Sequence, residues 1–152
     1  MTKQLASRLD LVARYVGVAL PMFAAWEVAQ LPLYTIWEEQ GAHASLLAAL
    51  HCTAGDAAYA LLSFACALIA GAYAPVLRST VAIATMTLLL GLALTMAVEV
   101  VSTRWLGRWS YGPLMPVDPI FGIGLSPLAQ WTVVPAVALF LLRQRLVAAC
   151  VV

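Results

Sequence analysis

Three stretches of this chain, 57–77, 79–98 and 119–142, contain no Asp, Glu, Lys or Arg, and a fourth, 15–37, contains only Glu27. Each matches the ~20 residues a helix needs to cross ~30 Å of hydrocarbon. A soluble domain covers itself with roughly 25% charged residues. This chain has 10%, against 64% hydrophobic residues and a mean hydropathy of +0.95. The class that follows is an integral membrane protein. The expected fold is all-α, because a helix satisfies its own backbone polar groups where no water is available.

The spacing of the charges predicts a four-transmembrane-helix bundle, with helices at about 14–36, 48–73, 80–103 and 125–143. They form one integral membrane domain over 1–152, and residues 2–12 read as a short amphipathic segment lying on the surface. The first apolar run exceeds the length of a signal-peptide core and no clean A-x-A cleavage site follows it, so it is expected to be retained. With the N-terminus inside, Lys3, Arg8, Arg14, Arg78, Arg143 and Arg145 fall on the cytoplasmic side and only Arg104 and Arg108 outside. That bias places both termini in the cytoplasm and the chain in the inner (plasma) membrane as a multi-pass protein.

Several classes are excluded or disfavoured. A net charge of +1 and a pI near 7.7 offer no basic face to nucleic acid. Cys52, Cys66 and Cys150 form no CxxC pair. Cys52 and Cys66 would lie about 21 Å apart on one helix, so all three read as small apolar fillers. His51, Asp56, Glu27 and Glu99 are metal-competent residue types, but no HxxxH or ExxH spacing joins them. No metal or cofactor is expected.

The connection 104–124 combines Pro113, Pro116 and Pro119 with Gly107, Gly112, Gly122 and Gly124, which excludes a regular helix. Its Trp105, Trp109, Tyr111 and Phe121 suit an interfacial belt, or a lid over a cavity.

Ionisable groups at membrane depth are costly and need a partner or a purpose. Glu27, Asp56 and Glu99 stand one on each of the first three helices, and Gln130 and Trp131 stand on the fourth, all toward the outer leaflet. At 100° per residue, Glu27, Gln30 and Tyr34 fall within about 60° of one another. Cys52, Asp56, Tyr59, Ser63 and Cys66 share a stripe, and so do Thr85, Leu88, Leu92, Thr95, Glu99 and Ser102. Each carboxyl group thus shares its face with hydroxyls or amides. His51 lies about 140° round from Asp56 and would reach the site from its mouth. For Gln30, Thr95, Ser63 and Ser102, simple helix-to-helix hydrogen bonding competes with a functional role. Asp56, beside Gly55, also suits a solvated or capping position at a helix start.

The expected chemistry is acid–base work on a lipophilic molecule. A carboxylic acid that keeps its proton in a low-dielectric site can donate it to an alkene or epoxide. A second carboxylate then acts as base or stabilises the cation, with Trp26 or Trp131 offering a π face. Glu27, Glu99 and Asp56 are the candidate catalytic groups. Gln30, Tyr34, His51, Tyr59, Trp26, Trp131, Gln130 and Tyr111 are the candidate substrate contacts.

The order of these features resembles a family. AAWEVAQLPLYTIW carries an acid and a tyrosine on the first helix, and the third has an acid near its outer end. SPLAQWTVVPAVALFLLRQRL carries a tryptophan four residues before a proline and a basic exit. This is similar to the EXPERA group, which includes the emopamil-binding sterol isomerase. The resemblance implies a small transmembrane bundle that shifts a double bond by protonation and deprotonation. It makes Glu27 and Glu99 the acid/base groups and Trp131 the cation-stabilising ring. HCTAGDAAY has no counterpart there, and Gln130 precedes Trp131 where the family has an asparagine a few residues earlier. An isoprenoid or another lipid is therefore as good a substrate expectation as a sterol. The expectation is an enzyme, isomerase or cyclase, or a binder for such a molecule. Its partners are the bilayer and the ligand, with a homo-oligomer or membrane complex compatible. The competing readings are a proton-coupled transporter working through Glu27 and a non-catalytic subunit or scaffold.

Overall fold

A computed structural model describes residues 2–151, with side chains for 5–148. Six α-helices are present among the described residues: α1 (Thr2–Gln30), α2 (Ile36–Glu39), α3 (Gly41–Tyr73), α4 (Thr80–Val100), α5 (Leu125–Leu141) and α6 (Arg143–Val151). Three helical stretches are long and apolar enough to cross a membrane: Leu5–Leu33, Gly41–Tyr73 and Thr80–Trp105. Leu125–Leu141 is a shorter apolar helix. Helices α1, α3, α4 and α5 form a ring in which each packs on the next, and α6 closes the far end against α1, α4 and α5.

Local sequence explains most boundaries and corrects several expectations. Residues 2–12 are not a separate surface segment. They continue α1 without a break, because Leu11, Val12 and Tyr15 bury one face in the same core as the rest of the helix. The first helix ends at Gln30 rather than 36, since Pro32 removes a backbone donor and leaves a 3-10 turn over Leu31–Leu33. The second long helix starts at Gly41 rather than 48, and the Ser45 hydroxyl donates back to the Gly41 carbonyl at 2.9 Å. It stops where Pro75 forces Ala74 into an extended conformation, φ −118° and ψ 103°. Ser79 caps α4 by accepting from the Ala82 N–H at 3.1 Å. At its other end α4 widens into a π turn over Val101–Trp105, where the Leu106 N–H reaches the Val101 carbonyl at 2.9 Å. The fourth long segment ends at Leu141, and α6 follows where no further helix was expected.

The ring interior changes character along its axis. At the end that α6 closes it is apolar, with Leu11, Val12, Ala19, Phe64, Ala67, Leu68, Ile83, Ala138, Leu139 and Leu146. At the end beneath the 106–124 loop, Glu27, Gln30, Asp56, Thr95, Glu99, Ser102 and Gln130 are buried instead. The outer surface carries exposed Leu46, Leu50, Leu61, Ile69, Leu89, Val133 and Phe140. An apolar exterior around a partly polar interior is what a hydrocarbon solvent selects.

Between these zones Trp131 is fully buried and packs on Phe23, with ring centroids 5.1 Å apart. Its six-membered ring occupies the place where a side chain on Gly91 would stand: a Cβ there would meet ring atoms at 2.3 Å. Gly91→Ala is expected to destabilise the fold by about 1–3 kcal/mol through overpacking, more than the ~1 kcal/mol of added helix propensity. Gly17→Ala, with open space around the new methyl, is expected to be neutral or to stabilise by up to ~1 kcal/mol. Thermal unfolding in detergent measures both, and equal effects would contradict this packing.

Candidate functional site: a carboxyl-lined cavity under the loop

Gln130 on α5 organises the polar end. Its amide nitrogen donates to Glu27 Oε1 on α1 at 3.0 Å and to Asp56 Oδ2 on α3 at 2.9 Å. The Trp131 indole N–H donates to the other Asp56 oxygen at 2.9 Å, and Gln30 donates to Glu27 Oε1 at 2.8 Å. Ser126 donates to Gln30 Oε1 at 2.7 Å, and the Trp26 indole donates to Ser126 at 3.2 Å. One hydrogen-bonded chain therefore links α1, α3 and α5.

Glu99 on α4 faces the same space from the other side. The Tyr111 hydroxyl donates to its Oε2 at 2.5 Å and the Trp109 indole at 3.4 Å. Among the described residues the one ion pair is Arg14–Asp10, so no Lys, Arg or His holds Glu27, Asp56 or Glu99 in a salt bridge.

These groups enclose a cavity of about 150 Å³. Glu27, Gln30, Tyr34, His51, Asp56, Tyr59, Glu99, Gln130 and Trp131 all line it. The exposed His51 and Arg108 also line it, at its solvent-facing side. Its floor is aromatic: Tyr59 packs on Trp131 at 6.4 Å, with the Phe23–Trp131 pair alongside.

Two expected contacts stand elsewhere. Trp26 is not in the cavity wall; it turns to a separate groove between α1 and α5. Tyr111 acts from above, through its bond to Glu99. Asp56 is buried well inside α3 rather than at a helix start, because that helix begins at Gly41. Cys52, expected as filler, is part of the cavity wall, while Cys66 is exposed; the side chain of Cys150 lies outside the described residues. Among the described residues no cluster of three metal-ligating side chains has the geometry to hold an ion.

Thr95, Trp109 and Ser126 are members that sequence reasoning missed as site residues. Thr95 lines the cavity and its buried hydroxyl has no hydrogen-bond partner among the described residues. Its position one turn before Glu99 on the same face was the available signal. Trp109 was legible only as an interfacial aromatic, and nothing local marks Ser126.

The loop is a built roof. The Thr35 N–H donates to the Ser110 carbonyl at 3.1 Å and the Gly112 N–H to the Leu33 carbonyl at 2.8 Å. The Tyr34 and Tyr111 rings meet at 5.7 Å. Farther along, the Asp118 carboxylate accepts from the N–H groups of Ile120, Phe121 and Ile123 at 3.0, 2.7 and 2.6 Å. Gly122 takes φ +60° to close this turn, and the Arg104 guanidinium donates to the Phe121 carbonyl.

Comparison with known proteins gives no match to a family model, a curated protein or a solved structure.

Two outcomes follow. Gln130→Met removes the donor that Glu27 and Asp56 share and is expected to cost about 1–3 kcal/mol for each group left unsatisfied; an unchanged melting temperature would refute the shared bond. The Phe121 N–H, then those of Ile123 and Ile120, hold the Asp118 carboxyl below the usual aspartate range. A depressed folded-state pKa contributes stability above the unfolded value and loses it as pH falls through the folded one. Amide exchange at Ile123, corrected for intrinsic rates, is therefore expected to accelerate below about pH 4 in the wild type and to be fast at neutral pH in Asp118→Ala.

Proposed function

We propose that this chain is a four-span protein of the inner (plasma) membrane with both termini cytoplasmic, and that its cavity binds the reacting end of a lipophilic, isoprenoid- or lipid-like molecule and moves protons on it. The observation that carries this reading is the meeting of Glu27, Asp56 and Glu99, from three helices, around one cavity, with no cation among the described residues paired to them. The span count is supported by the 17 residues of α5, about 25 Å of helix, and by α6, which extends the segment. The Lys and Arg bias supports the sidedness.

The chemistry fits the geometry. Glu27 and Asp56 share the Gln130 amide, and one of the two serves as the protonated acid. Donating that proton to a substrate alkene breaks an O–H bond, forms a C–H bond and leaves a carbocation over the Trp131 and Tyr59 rings. The carboxylate just formed removes a proton from an adjacent carbon and so regains its own, or Glu99 removes it and then releases it to water while the donor takes one back; the electron pair of that C–H bond becomes the new alkene. The product is an isomer of the substrate, and no other reactant is needed. This is the activity the resemblance to the EXPERA group implies for Glu27, Glu99 and Trp131.

Two observations weigh against the alternatives. A transporter needs a polar route onward, whereas below the cavity stand Trp131, Phe23 and the Tyr15–Phe64 pair, with centroids 4.5 Å apart. A scaffold needs no hollow, whereas here Glu27, Asp56 and Glu99, each bonded to a side chain of another element, still line an open cavity.

The test is native purification with mass spectrometry of co-purifying lipids, followed by incubation in D2O. The wild type is expected to retain a lipophile and to introduce deuterium into it. Glu27→Gln and Glu99→Gln are expected to slow exchange by about 10²–10⁴-fold, the usual contribution of a general acid or base, while melting normally. An unchanged lipid profile without exchange would leave the scaffold reading.

A further inference from the structure

A groove of about 560 Å³ runs along the outside of the bundle between α1 and α5, lined by Met22, Ala25, Trp26, Ala29, Leu33 and Val133. It is apolar except at one end, where Gln30, Ser126 and Trp26 stand. Gln30 belongs to both spaces. The neighbouring residues diverge: Leu31 and Pro127 line the cavity, Leu33 and Ser126 the groove. The wall between them is therefore one side chain thick. It is closed by the Ser126–Gln30 bond of 2.7 Å and the Trp26–Ser126 bond of 3.2 Å.

The volumes give this adjacency a meaning. A cavity of 150 Å³ holds about one benzene-sized group, so a lipophilic substrate cannot lie wholly within the carboxyl-lined space. The remainder needs an apolar channel that begins at the cavity wall and opens to hydrocarbon. The groove is larger and more open than the cavity, so an extended alkyl chain can lie along it. A long alkyl chain needs no polar partner, and the groove offers none beyond its gated end.

We propose that the α1–α5 groove is the subsite for the hydrocarbon tail of a single-chain amphiphile whose small reacting end sits in the carboxyl-lined cavity, with Gln30, Ser126 and Trp26 forming the gate between them. Entry is sideways from the bilayer, and the Ser126–Gln30 bond opens for the chain to pass. This inference rests on the function proposed above, and its test separates the two.

Two photoactivatable probes serve, both derivatives of a long-chain isoprenoid alcohol. One carries a diazirine next to the hydroxyl and the other at the far end of the tail. Each is cross-linked to the full-length protein in phosphatidylcholine nanodiscs, and labelled residues are mapped by mass spectrometry. The expected result is head-probe labelling around His51, Cys52 and Tyr59 and tail-probe labelling at Met22, Ala29 and Val133. Ala29→Phe, which fills the groove from a position exposed to lipid, is expected to cut tail-probe labelling there at least tenfold. Ala93→Phe, exposed on α4, is expected to leave it unchanged. Head-probe labelling in the cavity with tail-probe labelling spread evenly over all lipid-facing helices would overturn the groove and keep the proposed function. Absence of head-probe labelling from the cavity would overturn both.

Discussion

The Gln130 side chain presents one amide nitrogen with two hydrogens, and two carboxyl groups from two other helices accept them. The α1, α3 and α5 side of the polar end is arranged around that double donation. A buried acceptor without a donor is costly, so α1 and α3 are held in the one rotation that turns Glu27 and Asp56 toward α5. The adjacent Trp131 fixes the other Asp56 oxygen and thereby the depth of its own ring. That ring in turn requires a glycine opposite it at position 91. The polar network and the apolar packing beneath it are thus one constraint, stated once in hydrogen bonds and once in van der Waals contact.

The same arrangement divides the bundle into two zones. Polar groups are concentrated between the roof and the Trp131 level, and below stand Phe23, the Tyr15–Phe64 pair and aliphatic side chains, with Ser63 and Thr87 bonded back to their own helices. Glu99 belongs to this end but not to the Gln130 network; it is held by Tyr111 and Trp109 of the loop. The loop therefore holds one of the three carboxyl groups that line the cavity, and the order of its backbone sets that group's position. The π turn at Val101–Trp105 lies between Glu99 and those two loop residues. It redirects the chain from helix to roof within a few residues, at a place where such irregularities often accompany function.

Much of this was legible before any coordinates. The shared face of Glu27 and Gln30 follows from a 100° step along a helix, and both line the cavity; Tyr34 lines it too, but from an extended residue beyond the end of α1 rather than from the helical stripe. Asp56 was harder to place, because its role depended on where α3 begins. The weakly patterned segment 41–47 looked like loop, yet it is helix because Ser45 and Ala49 bury one face. Trp26 illustrates the opposite failure. It neighbours Glu27 in sequence, but adjacent residues on a helix point 100° apart, so it serves the groove rather than the cavity. Thr95 and Ser126 are ordinary hydroxyl residues until their neighbours from other helices are known.

Charge spacing alone determined that the chain is helical and apolar enough for a membrane, that its acids sit on separate helices, and which face each acid shares. Those properties are local: they depend on hydrocarbon thickness, helix rise and the angle per residue. Only the tertiary structure decided which acids meet. Glu27 and Asp56 were joined by an amide about a hundred positions along the chain from Glu27, and Glu99 was joined to the loop instead. Pairings of that kind depend on the rotation and depth of whole helices against one another, and no periodicity within a single helix encodes them.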